Sequence, residues 1–134
     1  MIDHLDHLVL TTRDRDACVD FYTRVLGMKL ETFGAGRLAL RFGNQKINLH
    51  VAGKELEPKA ERPTPGALDL CFICYRPLDE VIGRLGELGI PIIEGPGPRT
   101  GATGPIRSVY VRDPDRNLIE LSEPAPSEQT RRER

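Results

Sequence analysis

His7, His50, Asp69 and Glu120 are the side chains of this 134-residue sequence best suited to chemistry, with the amide of Asn48 two positions before His50. An imidazole exchanges a proton near neutral pH, and imidazole and carboxylate are common donors to divalent ions. Each of the five sits in a short apolar run: "DHLVLTT", "KINLH", "LDLCFICY" and "NLIEL". A carboxylate in such a run is costly to bury unless something partners it. "KINLH" and "NLIEL" read as copies of one strand, yet Asn48 stands where the later copy has Glu120, and His50 where it has Ser122.

The elements that must position these residues repeat. A strand at 6–12 leads to a helix from about Arg15 to Leu26, ended by Gly27, and then to strands near 28–33, 37–43 and 46–51. Val19, Phe21, Tyr22, Val25 and Leu26 give the helical spacing, Asp14 or Asp16 can cap its start, and Gly27 can stop it. After a polar stretch, 52–67, the order returns: strand 68–75, helix from about Leu78 to Leu88 ended by Gly89, and strands near 90–94, 106–112 and 117–122. A shift of 62 residues lays Asp69 on His7 and the second Leu-Gly helix stop on the first. The shift then grows to 72, because "GPGPRTGATGP" (95–105) adds residues to the second half. That insertion reads as a loop, either a plain surface loop or a lid carrying Arg99, Thr100 and Thr103 on hinges at Gly101 and Gly104.

Side chains alternate along a strand, which decides who shares a face. His7, Asn48, His50, Asp69 and Glu120 fall opposite the apolar set that helices can cover, and Arg41, Ser108, Tyr110 and Arg112 join them. If the halves pair by pseudo-twofold symmetry, that face lines a cavity with two imidazoles and two carboxylates. The expected fold is α+β: two tandem βαβββ modules forming a curved mixed sheet around a cavity, with helices on the outer face.

"DHLVLTT" with "DFYTRVLGM", and then "DPDRNLIEL", resemble the vicinal oxygen chelate superfamily of glyoxalase I, fosfomycin-resistance thiol transferases, extradiol dioxygenases and bleomycin-resistance proteins. The resemblance covers residues 3–123, and "FGNQKINLH", "GKELEPKA" and "RTGATGPI" are similar to a glyoxalase-domain subgroup without an established substrate. It implies one glyoxalase-like domain over 1–134, with module 1 at about 3–52, a linker at about 53–67, module 2 at about 68–123 and a flexible tail at 124–134. It also implies a divalent metal ion (Fe, Mn, Ni or Zn) held at the positions of His7, Asp69 and Glu120, Asp69 standing where metal-binding members usually have His. Asn48 stands where glyoxalase I has its catalytic Glu, and a neutral amide is a weak ligand and no base. His50, one strand repeat further, is then the candidate acid–base group, with Arg41, Asn48 and Tyr110 as substrate contacts. The implied function is a metal-dependent enzyme, of lyase, thiol transferase or dioxygenase type, acting on a small oxygenated substrate by chelation and Lewis-acid stabilisation of an oxyanion. The alternative is a non-catalytic, bleomycin-resistance-like binding protein, for which the low aromatic content leaves little stacking surface. A homodimer is the assembly the resemblance implies.

Composition narrows the classes further. A formal charge of −1 with mixed signs gives no broad field for nucleic acid or an anionic membrane, and no apolar run suits a spanning helix. A cytoplasmic location follows as the expectation, and the odd cysteine count of three suits a reducing compartment. Arg131, Arg132 and Arg134 read as a solvated tail. Cys71 and Cys74 are spaced as CxxC but would point to opposite faces of one strand, so they read as packing residues and not as a zinc pair. "GATG" and "GNQ" lack the strand-to-helix context of a nucleotide loop.

Overall fold

The computed structural model describes residues 1–126, and the expected tail beyond Pro126, with its arginines, lies outside them. The chain divides into two compact units. Unit 1 comprises Met1–Leu68 with Asp113–Asn117, and unit 2 comprises Asp69–Arg112 with the described residues from Leu118 onward.

Unit 1 holds β1 (His7–Thr12), α1 (Arg15–Asp20), β2 (Lys29–Phe33), β3 (Arg37–Phe42) and β4 (Gln45–Val51), its sheet ordered β1-β4-β3-β2. Unit 2 repeats the plan with β5 (Asp69–Ile73), α2 (Leu78–Glu87), β6 (Glu94–Gly101), β7 (Gly104–Arg112) and β8 (Leu118–Pro124), ordered β5-β8-β7-β6. In each sheet the first strand pairs in parallel with the last and the other pairings are antiparallel. The α+β architecture of two βαβββ modules is therefore what forms, as two four-stranded sheets.

In unit 1, Leu10, Leu40 and Ile47 are fully buried, as are Cys18 and Tyr22 of the helical segment, with Phe21 and Val25 nearly so. In unit 2, Val109, Val111, Ile119 and Leu121 bury one sheet face, and Leu78 and Leu85 bury the inner side of α2. Such apolar burial is the main favourable term in each unit.

Asp14 caps α1, accepting the Ala17 backbone N–H at 3.1 Å. The helix does not run on regularly to Leu26, because Phe21–Val25 forms a wider π-type turn in which the Leu26 N–H reaches the Phe21 carbonyl at 3.1 Å. The widening puts consecutive Phe21 and Tyr22 both inside, edge to face at 5.2 Å between ring centroids. Gly27 then takes φ +77°, the left-handed geometry that ends the segment.

Two expectations in the second half need correction. Residues 90–93 are not a strand, and the "GPGPRTGATGP" segment is neither a lid nor an open loop: most of it is β6 and its tight turn into β7. Pro96 and Pro98 looked like loop signals, but β6 is an edge strand, where a residue without an N–H is tolerated. A register irregularity between Glu94 and Gly97 accommodates the rest.

Candidate functional site

In unit 2 the register carries the polar side chains onto one face. Tyr110 and Cys71 both lie opposite Glu120, and Ser108 lies opposite Ser122. Asp69 and Arg112 both lie opposite Leu118, two residues before Glu120. The result is a cleft of about 490 Å³ lined by Asp69, Glu94, Tyr110, Arg112 and Glu120, with Ile93 and Leu118 as its apolar part. That volume suits a small molecule.

Glu120 is held from beneath. Ser108 Oγ donates to Glu120 Oε2 at 2.7 Å, and Ser122 Oγ lies 2.7 Å from Ser108 Oγ and 3.5 Å from the same carboxylate oxygen. Ser108 and Ser122 are essentially fully buried. Cys71 Sγ completes the chain at 3.4 Å from Ser122 Oγ. Burial pushes the Cys71 thiol above its ordinary pKa, the Ser122 bond opposes that, and the Glu120 charge adds to it. Reading Cys71 as plain packing is therefore corrected: it is exposed on the polar face, whereas Cys18 is the fully buried thiol. Cys74 lies beyond the end of β5.

Tyr110 carries a second chain. Arg99 Nε donates to Tyr110 Oη at 3.1 Å, Arg99 Nη2 donates to Glu94 Oε2 at 3.0 Å, and the guanidinium lies 5.3 Å from the Tyr110 ring centroid. Desolvation raises the phenol's pKa, the Arg99 hydrogen bond works against it and Glu120 reinforces it, so the hydroxyl keeps its proton at neutral pH. Arg99, expected as a lid residue, thus braces the cleft from β6.

Unit 1 contains the other candidates. His7 is exposed, with Nδ1 2.8 Å from Asp6 Oδ2. Arg41 Nε donates to Glu31 Oε2 at 2.5 Å, and this contact holds the Glu31 carboxyl below its ordinary pKa. Asn48 and His50 lie on one face of β4, opposite Val9 and Thr11 of β1. Both are buried, at 5% and 6% exposure, and Asn48 Oδ1 and His50 Nε2 have no hydrogen-bond partner among the described residues. Such orphans are uncommon and mark places where something else supplies the partner.

Of the expected site residues, the structure brings Asp69, Tyr110 and Glu120 together on the cleft, while His7, Arg41, Asn48 and His50 belong to unit 1. Among the described residues no three of His, Cys, Asp and Glu gather into a ready cage for a metal ion. The cleft presents two carboxylates, Asp69 and Glu120, the second oriented by a buried hydroxyl, with Arg112 on the same lining. The residues that sequence reasoning undervalued are Ser108, Ser122, Cys71 and Arg99. Period-two alternation placed the first three on the right face; their bonds to one another required the register.

Comparison with known proteins places residues 4–121 in a family. The profile of the Glyoxalase/Bleomycin resistance protein/Dioxygenase superfamily matches residues 4–121. Glyoxalase domain-containing protein RDO1 of Mycosarcoma maydis is 60% identical over 118 residues, 88% of this chain and 66% of that protein, so the chain spans slightly less than two thirds of this relative. Virulence protein STM3117 of Salmonella typhimurium is 55% identical over 123 residues, 92% of this chain and 85% of that protein. Its crystal structure superposes with a TM-score of 0.91 at 54% identity, covering 93% of this chain and 99% of that one. The crystal structure of lactoylglutathione lyase from Agrobacterium tumefaciens matches with a TM-score of 0.70 at 25% identity, covering 92% and 95%.

Proposed function

The chain belongs to the Glyoxalase/Bleomycin resistance protein/Dioxygenase superfamily, and we propose that it is a metal-dependent enzyme acting on a small oxygenated molecule in the cleft of unit 2. The observation that carries this reading is Glu120 itself, a carboxylate fixed by Ser108 at 2.7 Å in a cleft that also presents Asp69 and Tyr110.

Glu120 and Asp69 are the proposed oxygen donors to a divalent ion of the Fe, Mn, Ni or Zn type. Bound there, the ion would supply Lewis-acid stabilisation of negative charge on a substrate oxygen. Tyr110 accepts from Arg99, hydrogen-bonds Glu120 and keeps its own proton, which supports it as a substrate contact beside that carboxylate. Ile93 and Leu118 keep part of the cleft apolar, which strengthens those contacts. Within unit 1, the feature that supports His50 as an acid–base group is its buried Nε2, without a hydrogen-bond partner among the described residues, while Asn48 offers an acceptor and no base. Arg41, expected as a substrate contact, is held by Glu31 within unit 1.

A non-catalytic binding protein is the second reading. The fact favouring it is that no three candidate ligands gather among the described residues. A homodimer also fits: β1 and β5 are edge strands, and each presents an exposed apolar residue, Val9 and Ile73. Light scattering on the purified protein reports the assembly.

The test of function is metal content by elemental mass spectrometry, with Glu120→Gln, Asp69→Asn and His7→Ala measured beside the natural protein. Near-stoichiometric metal that Glu120→Gln loses is the expected result. Metal retained in full by Glu120→Gln overturns the assignment, and the His7→Ala result decides whether the imidazole expected from the sequence is a ligand.

A further inference from the structure

A basic row crosses the sheet of unit 1. Lys29 faces Arg41 on β3, Arg41 faces Lys46 on β4, and Lys46 faces His7 on β1. Facing residues share a side of the sheet, and period two adds Glu31, Phe33, Arg37, Asn48 and His50 to that side. Among the described strand residues of this face, Lys29, Arg37, Arg41 and Lys46 are cations and Glu31 is the one carboxylate.

Pairing does not cancel the excess. Glu31 is taken by Arg41 at 2.5 Å. The flanking carboxylates are engaged as well, Asp6 with His7 at 2.8 Å and Glu55 with the Gly53 N–H at 3.0 Å. Among the described residues neither Arg37 nor Lys46 forms an ion pair, and both stand over one ring instead: the Arg37 guanidinium carbon lies 4.7 Å and the Lys46 ammonium 3.9 Å from the Phe33 centroid. Each distance is well inside the Debye length of roughly 8 Å, so the two charges feel one another and gain from a shared counter-charge. A ring face is a weaker partner for a cation than an oxyanion is. Phe33, Arg37 and Lys46 are all partly exposed, so a ligand can reach them. Asn48 Oδ1 and His50 Nε2, on the same side, are buried without a partner among the described residues. The amide oxygen is an acceptor, which suits a hydroxyl and not an anion.

We propose that this face of unit 1 binds a small hydroxylated oxyanion, a carboxylate or a phosphate ester, with its charged group on Arg37 and Lys46 beside Phe33 and its hydroxyl on Asn48 Oδ1. The planar Arg37 fork matches two oxygens of such a group, and Lys46 adds a compact point charge. The site lies wholly within unit 1, so it stands or falls apart from the unit 2 cleft.

The test titrates the full chain by calorimetry at low salt with inorganic phosphate, glycerol 3-phosphate, glycerate and neutral glycerol, each alone. Glycerol 3-phosphate or glycerate should bind and glycerol should not; whichever anion binds more tightly identifies the ligand class. Arg37→Gln and Lys46→Gln should each weaken that anion about tenfold, the usual scale for losing a charged hydrogen bond, while Lys46→Arg should keep most of the affinity. Arg15→Gln, which removes an exposed cation from α1, should leave it unchanged. Asn48→Leu should weaken glycerol 3-phosphate or glycerate but not inorganic phosphate. No anion bound at low salt, affinity untouched by Arg37→Gln and Lys46→Gln, or an equal loss in Arg15→Gln, the mark of diffuse charge, overturns the site. Full affinity for the hydroxylated anion in Asn48→Leu overturns the hydroxyl contact.

Discussion

Tyr22 Oη donates to Asp113 Oδ2 at 2.6 Å, joining residues 91 apart at a fully buried phenol. Asp113 also accepts from the Asn117 backbone N–H at 2.9 Å and from Asn117 Nδ2 at 2.8 Å. Beside it Asp115 accepts from Thr12 Oγ1 at 2.5 Å and from the Arg13 N–H at 2.9 Å. Two carboxylates buried to 3% and 4% exposure are thus held by donors, which is the condition for burying them. Removing one donor leaves a buried oxygen short of a partner, at a cost of about 1–3 kcal/mol. Tyr22→Phe is expected to lose stability in that range, read from the urea midpoint with the slope unchanged; an unchanged midpoint would show that the bond contributes nothing in solution.

The same cluster sets a response to alkali. Burial first, and then the Asp113 charge, push the Cys18 thiol from an ordinary 9.0 up to about 12, and the same two causes raise the Tyr22 phenol. For a group whose folded pKa is raised, the stabilisation is whole below the unfolded pKa and is lost as pH climbs toward the folded one. Stability should therefore hold to about pH 9 and fall from there toward pH 12. Urea midpoints across that window should fall less steeply in Cys18→Ala than in the natural protein, and equal slopes would count against the thiol.

How much of this was legible in the sequence depends on the physics of each feature. Period two is local, so the polar face of β5, β7 and β8 could be read from alternation, and the repeated βαβββ order from the matching helix stops. Register is not local. The serine row under Glu120 exists because Ser108 falls opposite Ser122, which no run of letters states. The π-type turn at Phe21–Val25 escaped because its apolar residues fit an ordinary helix equally well. β6 was misread because Gly and Pro signal loops on average, while an edge strand tolerates both. "DPDRN" was seen as part of a family signature, yet what it does here is fill the buried cluster around Tyr22 and Thr12.

Gly95 tests that misread hairpin. It has φ +92°, and a Cβ there would meet the Ser108 carbonyl oxygen at 2.4 Å and the Val109 Cα at 3.2 Å, both backbone atoms that cannot swing aside. Gly95→Ala should push β6 away from β7 and cost roughly 1–3 kcal/mol. Amide exchange across β6 and β7 gives the direct reading, and protection unchanged from the natural protein would mean that the close approach is relieved elsewhere.

Asn48 offers the opposite sign. Most polar-to-apolar substitutions in a buried strand lose stability, because a partner is left behind. Asn48 Oδ1 has none to leave among the described residues, and Ala39, the residue opposite it on β3, is small. A buried polar atom without a partner carries a penalty of about 1–3 kcal/mol, and a side chain of similar size without the amide escapes it. Asn48→Leu should accordingly raise the thermal midpoint of ligand-free protein while weakening whatever uses that acceptor. A stability gain with loss of small-molecule binding would identify the orphan as a recognition group whose strain is kept for function. A stability loss would show instead that Oδ1 finds a partner in solution, and His50, with its own unpartnered nitrogen on the same strand face, would be the next residue to replace.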